Sequence, residues 1–136
     1  QLSKNWARDA FADGPVDVLG GWLRFRYAEN PGAAFSSFTD SGQLIGVIAI
    51  AVTAFLVYLI SRTTRVVELV ALGLILGGAL GNLTDRIFRG SGVLDGAVVD
   101  WIDWWFIPTF NIADASLNVG VALLLIAALV FPEPHE

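Results

Sequence analysis

LIGVIAIAVTAFLVYLI, Leu44–Ile60, contains no charged residue over its whole length. A helix that crosses the roughly 30 Å hydrocarbon core of a bilayer needs about 17–25 mainly apolar residues, so this stretch predicts a membrane span. VVELVALGLILGGALGNL, starting at Val66, continues the pattern with one glutamate near its start, and ASLNVGVALLLIAALVF, starting at Ala115, repeats it. The sequence therefore predicts three visible spans.

The composition of the chain agrees with a membrane protein. Of its 136 residues, 55% are hydrophobic and only 15% are charged, whereas soluble domains carry about 45–50% and about 25%. Three such runs would leave a soluble domain of this length almost no polar surface. The net charge of −5 provides no basic surface for nucleic acid, which is excluded as a partner.

The residue types that are missing restrict the possible chemistry. Cysteine is absent, and the single histidine, His135, is the penultimate residue. Disulfides, thiolate nucleophiles, histidine-ligated zinc and a Ser-His-Asp triad are therefore not expected, and we predict neither a metal nor a cofactor. Any proton chemistry must come from carboxylates, tyrosines, lysine or arginine.

The loop between the first two spans indicates the orientation. Ser61–Arg65 carries two arginines and no acid, which predicts the cytoplasmic side by the positive-inside rule. The segment before Leu44 and the loop at 86–110 are then expected on the outer side. In the first of these, VLGGWLRFRYAEN, Val18–Asn30, alternates with a partial period of two and predicts a small extracytoplasmic sheet reaching to about Phe38.

The middle span carries glycine at every fourth position. Gly73, Gly77 and Gly81 share one helix face, and small residues at this spacing let helix backbones approach closely in lipid. We therefore predict that these glycines are structural.

Polar residues gather at the outer ends of the spans. Asn82, Asp85 and Arg86 share a helix face by their i, i+3, i+4 spacing, while Asn111 and Asp114 stand at the start of the last span. Each residue alone favours a structural role such as a helix-end ion pair. Ionisable residues at a membrane edge are costly, however, and as a group they indicate function.

Paired carboxylates offer a specific chemistry. Two carboxylates in a poorly hydrated pocket can share one proton, so that one acts as a general base on water while the other donates a proton. Such a pair could hydrolyse an amide, but the spacing leaves the choice open among Asp85, Asp100, Asp103 and Asp114. A proton-coupled transporter and a non-catalytic membrane subunit are the alternatives. Transport needs a polar path through the membrane, which the first span and the middle of the last do not offer.

Five motifs in order carry a resemblance to a known family. They are QLSK (Gln1–Lys4), ENPGAAFS (Glu29–Ser36), GGALGNLTDRIFRG (Gly77–Gly90), VVDWI (Val98–Ile102) and FNIAD (Phe110–Asp114). In this order and along nearly the whole chain, they resemble those of lipoprotein signal peptidases (signal peptidase II), which are bacterial membrane aspartic peptidases.

The resemblance assigns roles to individual residues. It implies that Asp100 and Asp114 are the catalytic dyad, that Asp85 is a structural partner, and that Asp103 is an interfacial charge without a catalytic role. The substrate-binding or supporting positions that it implies are Asn30, Gly32, Asn82, Arg86 and Asn111.

The resemblance also implies a fold and a reaction. The fold is an all-α polytopic membrane protein with a small extracytoplasmic β-sheet, in which the first of four helices is missing ahead of Gln1. The reaction is removal of the signal peptide before a diacylglyceryl cysteine of a prolipoprotein, by a monomer in the bacterial inner membrane with its site near the outer face. The expected segments of the single domain, 1–136, are a helix tail at 1–10, a β-cradle at 11–40, spans at 44–60, 66–84 and 112–131, and an extracytoplasmic loop at 86–110.

Overall fold

The computed structural model describes residues 1–32 and 41–130 of the chain. The end of the ENPGAAFS motif, the distal part of the predicted β-cradle, Phe131 and His135 lie outside the described residues. In chain order the elements are α1 (Leu2–Ala10), β1 (Val16–Asp17), β2 (Leu23–Asn30), α2 (Ser41–Arg62), α3 (Val66–Phe88), β3 (Val98–Trp104), β4 (Ile107–Phe110) and α4 (Ile112–Val130).

Within the described ranges, α2, α3 and α4 are long and apolar enough to cross a membrane. At about 1.5 Å per residue, each is close to or longer than the roughly 30 Å hydrocarbon core. Helix α3 runs beyond the predicted 66–84, because Asp85 and Arg86 continue its helical geometry past the apolar stretch. The predicted polytopic helical fold with a small sheet is confirmed.

Helix α3 is the central helix and packs against both α2 and α4. Leu56 of α2 and Leu72 and Ile75 of α3 form a buried cluster. Large apolar side chains elsewhere on the helices, such as Phe55 of α2 and Leu125 of α4, are exposed. An apolar outer surface of this kind suits a lipid environment, where burial against water does not drive helix packing.

Two glycines let α3 and α4 approach closely. A Cβ on Gly78 would overlap the backbone oxygen of Ala113, and a Cβ on Gly120 would lie 2.7 Å from the backbone oxygen of Ala71. Of the three glycines that the sequence predicted to serve close packing, Gly81 would place a Cβ 3.2 Å from the Ala113 Cβ, whereas a Cβ at Gly73 or Gly77 would meet no described atom outside the nearby helix backbone within 4 Å. The close approach therefore depends on the face of α3 that carries Gly78.

The four strands form one antiparallel sheet in the order β1-β2-β3-β4. Strand β2 lies beside β3 with Ala28 opposite Asp100 and Asn30 opposite Val98, after a register shift that follows Phe25. The segment 86–110, predicted as a loop, thus contains two strands. Most of β3 is buried on both faces, so it lacks the alternation of polar and apolar residues by which a half-buried strand is recognised.

Helix α1 covers the sheet through an aromatic cluster. Ala7 and Phe11 are buried against Trp101 of β3, and the Trp6 and Trp101 rings meet edge to face with centroids 5.3 Å apart. Aromatic pairs in this arrangement contribute about 0.5–1.5 kcal/mol beyond the area they bury. The cluster fixes α1 against the strand that carries Asp100.

Candidate active site

Asp100 and Asp114 come from different elements and line one cavity of about 330 Å³. Asp100 lies in β3 and Asp114 in the first turn of α4. The cavity opens between α2, α3 and α4 at the end of the helices where the sheet lies. Its polar lining residues are Asn30, Asn82, Arg86, Asp100 and Asp114.

Asn111 bonds to both carboxylates. Its side-chain Nδ2 donates to Asp100 Oδ1 at 2.7 Å, while its backbone N–H donates to Asp114 Oδ2 at 3.1 Å. Its Oδ1 accepts from the backbone N–H groups of Ala113 and Asp114, as the side chain of a helix N-cap does. Since Asn111 is fully buried, the cap of α4 also fixes how the two aspartates lie relative to each other.

Asn82 supplies a second link. Its Nδ2 donates to Asp114 Oδ1 at 2.7 Å, and its Oδ1 accepts from Asn111 Nδ2 at 3.2 Å. The amide of Asn82 also accepts from Lys4 Nζ at 2.9 Å. Every carboxylate oxygen of Asp114 therefore faces a donor.

Asp100 lies in a less hydrated environment. It is only 3% exposed, and it accepts a hydrogen bond at 3.2 Å from Asn30 Nδ2 on the neighbouring strand. Burial raises the pKa of Asp100 above its usual value, and the charge of Asp114 adds to that effect. The donors Asn111 and Asn30 and the Lys4 ammonium act in the opposite direction.

Gly32 and Arg86 adjoin the same cavity. Gly32 has a φ of +99°, a conformation that glycine adopts readily, and its N–H donates to Asn30 Oδ1 at 2.9 Å. Arg86 is 7% exposed, and its Nη1 has no hydrogen-bond partner among the residues that the structure describes. A buried guanidinium donor without a partner is costly, so this one is available to a bound ligand.

Asp85 lies beside the cavity rather than in its lining. It is fully buried and accepts from Lys4 Nζ at 2.6 Å, from Arg89 Nε at 2.8 Å and from the Val99 N–H at 2.9 Å. One buried carboxylate therefore joins α1, the end of α3 and β3. Such full satisfaction by two cations and an amide fits a structural anchor.

Asp103, on the same strand as Asp100, has a different environment. Arg24 Nη2 and Arg26 Nε approach Asp103 Oδ2 at 2.8 and 3.1 Å across the sheet. Both arginine side chains are largely exposed. Asp103 is thus paired at the surface of the sheet and does not line the cavity.

Sequence reasoning assigned no role to Lys4, although it is 2% exposed and reaches both Asp85 and Asn82. The spacing of residues along α1 did indicate that Lys4 is buried. Lys4 precedes Ala7 by three residues and Phe11 by seven, so it shares the apolar face of α1. A lysine on such a face indicates a buried charge that needs a partner. Within the described residues, no group of three or more His, Cys, Asp or Glu side chains could hold a metal ion.

Known proteins resemble the chain over most of its length. The family model for Signal peptidase (SPase) II matches residues 1–130. The lipoprotein signal peptidase of Caldicellulosiruptor bescii is 40% identical over 136 residues, which cover 100% of this chain and 85% of the relative. That of Streptomyces griseus is 42% identical over 120 residues, which cover 88% of this chain. The chain spans 61% of the length of the latter and 55% of a relative from Streptomyces coelicolor.

Solved structures agree with these relatives. A bacterial membrane enzyme solved by the in meso method superposes with a TM-score of 0.81 at 31% identity, over 100% of this chain and 85% of the other. A second such enzyme gives 0.82 at 32% identity. With three apolar helices, the protein is a multi-pass membrane protein. Because the family model covers nearly all of its length, the chain belongs to the signal peptidase II family.

Proposed function

We propose that this protein is a membrane aspartic endopeptidase that removes the signal peptide from prolipoproteins, cleaving before a lipid-modified cysteine. The observation that carries the proposal is the position of Asp100 and Asp114, which come from separate elements, line one cavity and share Asn111. Membership of the signal peptidase II family supports the same class of substrate.

The proposed reaction uses the two carboxyl groups in opposite protonation states. The ionised carboxylate takes a proton from water, and the water oxygen bonds to the scissile carbonyl carbon. The protonated partner donates a hydrogen bond to the carbonyl oxygen. When the intermediate collapses, the C–N bond breaks and the protonated partner transfers its proton to the leaving nitrogen, so that the pair keeps the one proton taken from water.

The environments of the two residues suit different parts in this reaction. Burial raises the pKa of Asp100, which favours it as the partner that holds the proton. Asp114 lies in the first turn of α4, where the partial positive charge of a helix N-terminus favours an anion. We therefore assign the general base to Asp114 and the acid to Asp100.

The cavity lining supports a substrate with an apolar part. Ile45, Ile48, Ala49 and Val52 of α2 form one wall beside the polar groups. We propose that the diacylglyceryl chains of the substrate enter from the bilayer along this wall, while the peptide lies beside the carboxylates. The unpartnered Nη1 of Arg86 would donate to an oxygen of the substrate.

The proposed location is the bacterial inner membrane, with the site near the outer face. Arg62, the last residue of α2, and Arg65, just before α3, lie at the opposite end of α3 from Asn82, and by the positive-inside rule this end belongs in the cytoplasm. The sheet and the cavity would then face the outside. Asn30 at the end of β2 and Gly32 just after it would then support the site from the outer side.

The proposal is tested by cleavage of a lipid-modified lipoprotein precursor by the protein reconstituted in lipid nanodiscs. Asp100→Asn and Asp114→Asn should each reduce kcat by about 10²–10⁴-fold or more, because each removes one proton-transfer group. Thermal unfolding of each variant should show that it remains folded.

Asp103→Asn is the matched control. It neutralises a carboxylate on the same strand as Asp100, but that carboxylate pairs with arginines outside the cavity. Its turnover should stay within about threefold of the wild type, since exposed ion pairs contribute little. Near-normal turnover in Asp100→Asn or Asp114→Asn would overturn the dyad.

A further inference from the structure

Lys4 connects the buried ion cluster with the candidate dyad. Its Nζ lies 2.6 Å from Asp85 Oδ2, 2.9 Å from Asn82 Oδ1 and 3.4 Å from the backbone oxygen of Gly81. An ammonium group has three hydrogens to donate and no acceptor. The three acceptors around Lys4 therefore use its full donor capacity in a site that is almost closed to water.

The hydrogen bond from Lys4 to Asn82 is compatible with only one orientation of the Asn82 side-chain amide. A side-chain amide has an acceptor end and a donor end, and an ammonium can face only the acceptor end. With Oδ1 turned towards Lys4, Nδ2 of Asn82 is turned towards Asp114 Oδ1, to which it donates at 2.7 Å. The flipped amide would place N–H groups against the ammonium and an oxygen against the carboxylate, which are two repulsive contacts.

We propose that Lys4 is a positioning residue for catalysis, whose ammonium fixes the Asn82 amide in the orientation that donates to Asp114. This inference rests on the proposed function, in which Asp114 activates water. Lys4 does not line the cavity that holds the dyad. It therefore acts through Asn82 and not by contact with the substrate.

The alternative role of Lys4 is to neutralise Asp85. Arg89 also pairs with Asp85, and it contacts Gln1 and Asn5 instead of Asn82. The two cations thus share the ion pair but differ in the contact with the dyad. Arg89→Met is accordingly the matched control for Lys4→Met.

The test measures kcat, KM and thermal unfolding of reconstituted variants with a lipid-modified precursor. Lys4→Met should lower kcat by about 10- to 100-fold, the effect of losing one hydrogen bond to a charged group, with KM nearly unchanged. Arg89→Met should keep kcat within about threefold, as expected for a partly exposed ion pair that does not reach the dyad. Equal losses of kcat in both variants would overturn the proposal.

Lys4→Met leaves the Asp85 carboxylate with one cation fewer, which destabilises the fold. Lys4→Met/Asp85→Asn removes both charges and leaves no additional buried anion. This double variant should fold and still show the loss of kcat, because the Asn82 Oδ1 then keeps only the longer contact with Asn111 Nδ2, at 3.2 Å, and loses the ammonium. Recovery of wild-type kcat would show that Lys4 serves only to neutralise Asp85.

A double-mutant cycle tests the route through Asn82. Addition of Lys4→Met to Asn82→Ala should change kcat less than about twofold, because residues that act through one contact are not additive. If the loss of kcat in the double variant equals the product of the two single losses, Lys4 and Asn82 act independently, and the route through Asn82 is contradicted.

The inference can also fail independently of the proposed function. The side-chain ¹⁵N resonance of Asn82, recorded in labelled protein without substrate, should shift in Lys4→Met and stay in place in Arg89→Met. An unchanged resonance in Lys4→Met would overturn the positioning role. Absence of cleavage by the wild type would instead overturn the proposed function.

Discussion

Asn111 combines two duties that proteins usually give to separate residues. Its Oδ1 and N–H complete the cap of α4, and its Nδ2 reaches Asp100. A helix cap contributes about 1 kcal/mol of stability, so the geometry between Asp100 and Asp114 is held by an interaction that the fold needs in any case. The two aspartates differ in surroundings, since Asp100 is almost fully buried and Asp114 is not.

The raised pKa of Asp100 predicts a pH dependence of stability. Below the ordinary value of 3.8 the carboxyl holds its proton in both the folded and the unfolded chain. As the pH rises above it, the unfolded chain ionises first, so the wild type loses stability until the pH exceeds the folded pKa. Asp100→Asn lacks this loss.

The measurement is the difference in Tm between Asp100→Asn and the wild type, recorded from about pH 4 to about pH 8 in nanodiscs. The Tm of Asp100→Asn relative to that of the wild type should increase as the pH rises, whatever constant offset the substitution adds. A difference that stays constant, or that moves towards the wild type, would contradict a raised pKa.

At the scale of elements, the contact between α3 and α4 places Asn82 and Asp114 side by side. Gly78 allows this contact because the backbone of Ala113, next to Asp114, lies where a Cβ would be. The start of α4 is therefore located by a position on α3 one turn before Asn82. Packing in the membrane and geometry in the site are set by the same residue.

Gly78→Ala and Gly77→Ala form a matched pair that tests this role. Gly78→Ala should destabilise the protein by about 1–3 kcal/mol through overpacking, and it should lower kcat because the start of α4 shifts with Asp114. A Cβ at Gly77 would meet no described atom outside the nearby helix backbone within 4 Å. Gly77→Ala should therefore leave the free energy of unfolding unchanged or raise it by up to about 1 kcal/mol through helix propensity. Thermal unfolding and the cleavage assay check both, and similar losses in the two variants would refute the assignment of the contact to Gly78.

The sequence predicted the spans and missed part of the sheet for physical reasons. Leu44–Ile60 is recognisable as a membrane span because an uncharged apolar run of that length is long enough to cross the bilayer core as a helix. Val98–Trp104 is not recognisable as a strand, because its partner β2 lies about 70 residues earlier and both of its faces are covered. The motifs named residues that the structure brings together around one cavity. The contact between Lys4 and Asn82, 78 residues apart, depends on the tertiary fold and has no such motif signal.

At the scale of the whole molecule, polar groups are divided between two ends. The sheet and the cavity lie at the end of α3 that carries Asp85, whereas Arg65 precedes its first residue at the other end. The proposed orientation places the first end outside the cell. The absence of cysteine makes this orientation easy to test by labelling.

Ser61→Cys and Ser91→Cys are conservative substitutions at exposed positions on opposite ends of the described structure. In spheroplasts, a membrane-impermeant maleimide should label Ser91→Cys directly and Ser61→Cys only after permeabilisation. Electrophoretic mobility of the labelled protein reports the result. The reverse pattern would invert the proposed orientation.

The burial of Asp85 has a consequence for how the protein can be engineered. Residues 1–10 supply Lys4 to this carboxylate and Gln1 to the neighbouring Arg89, so the buried face of α1 is part of the charge balance around Asp85. An affinity tag or fusion partner that replaces α1 would leave a buried anion with only one of its two cations.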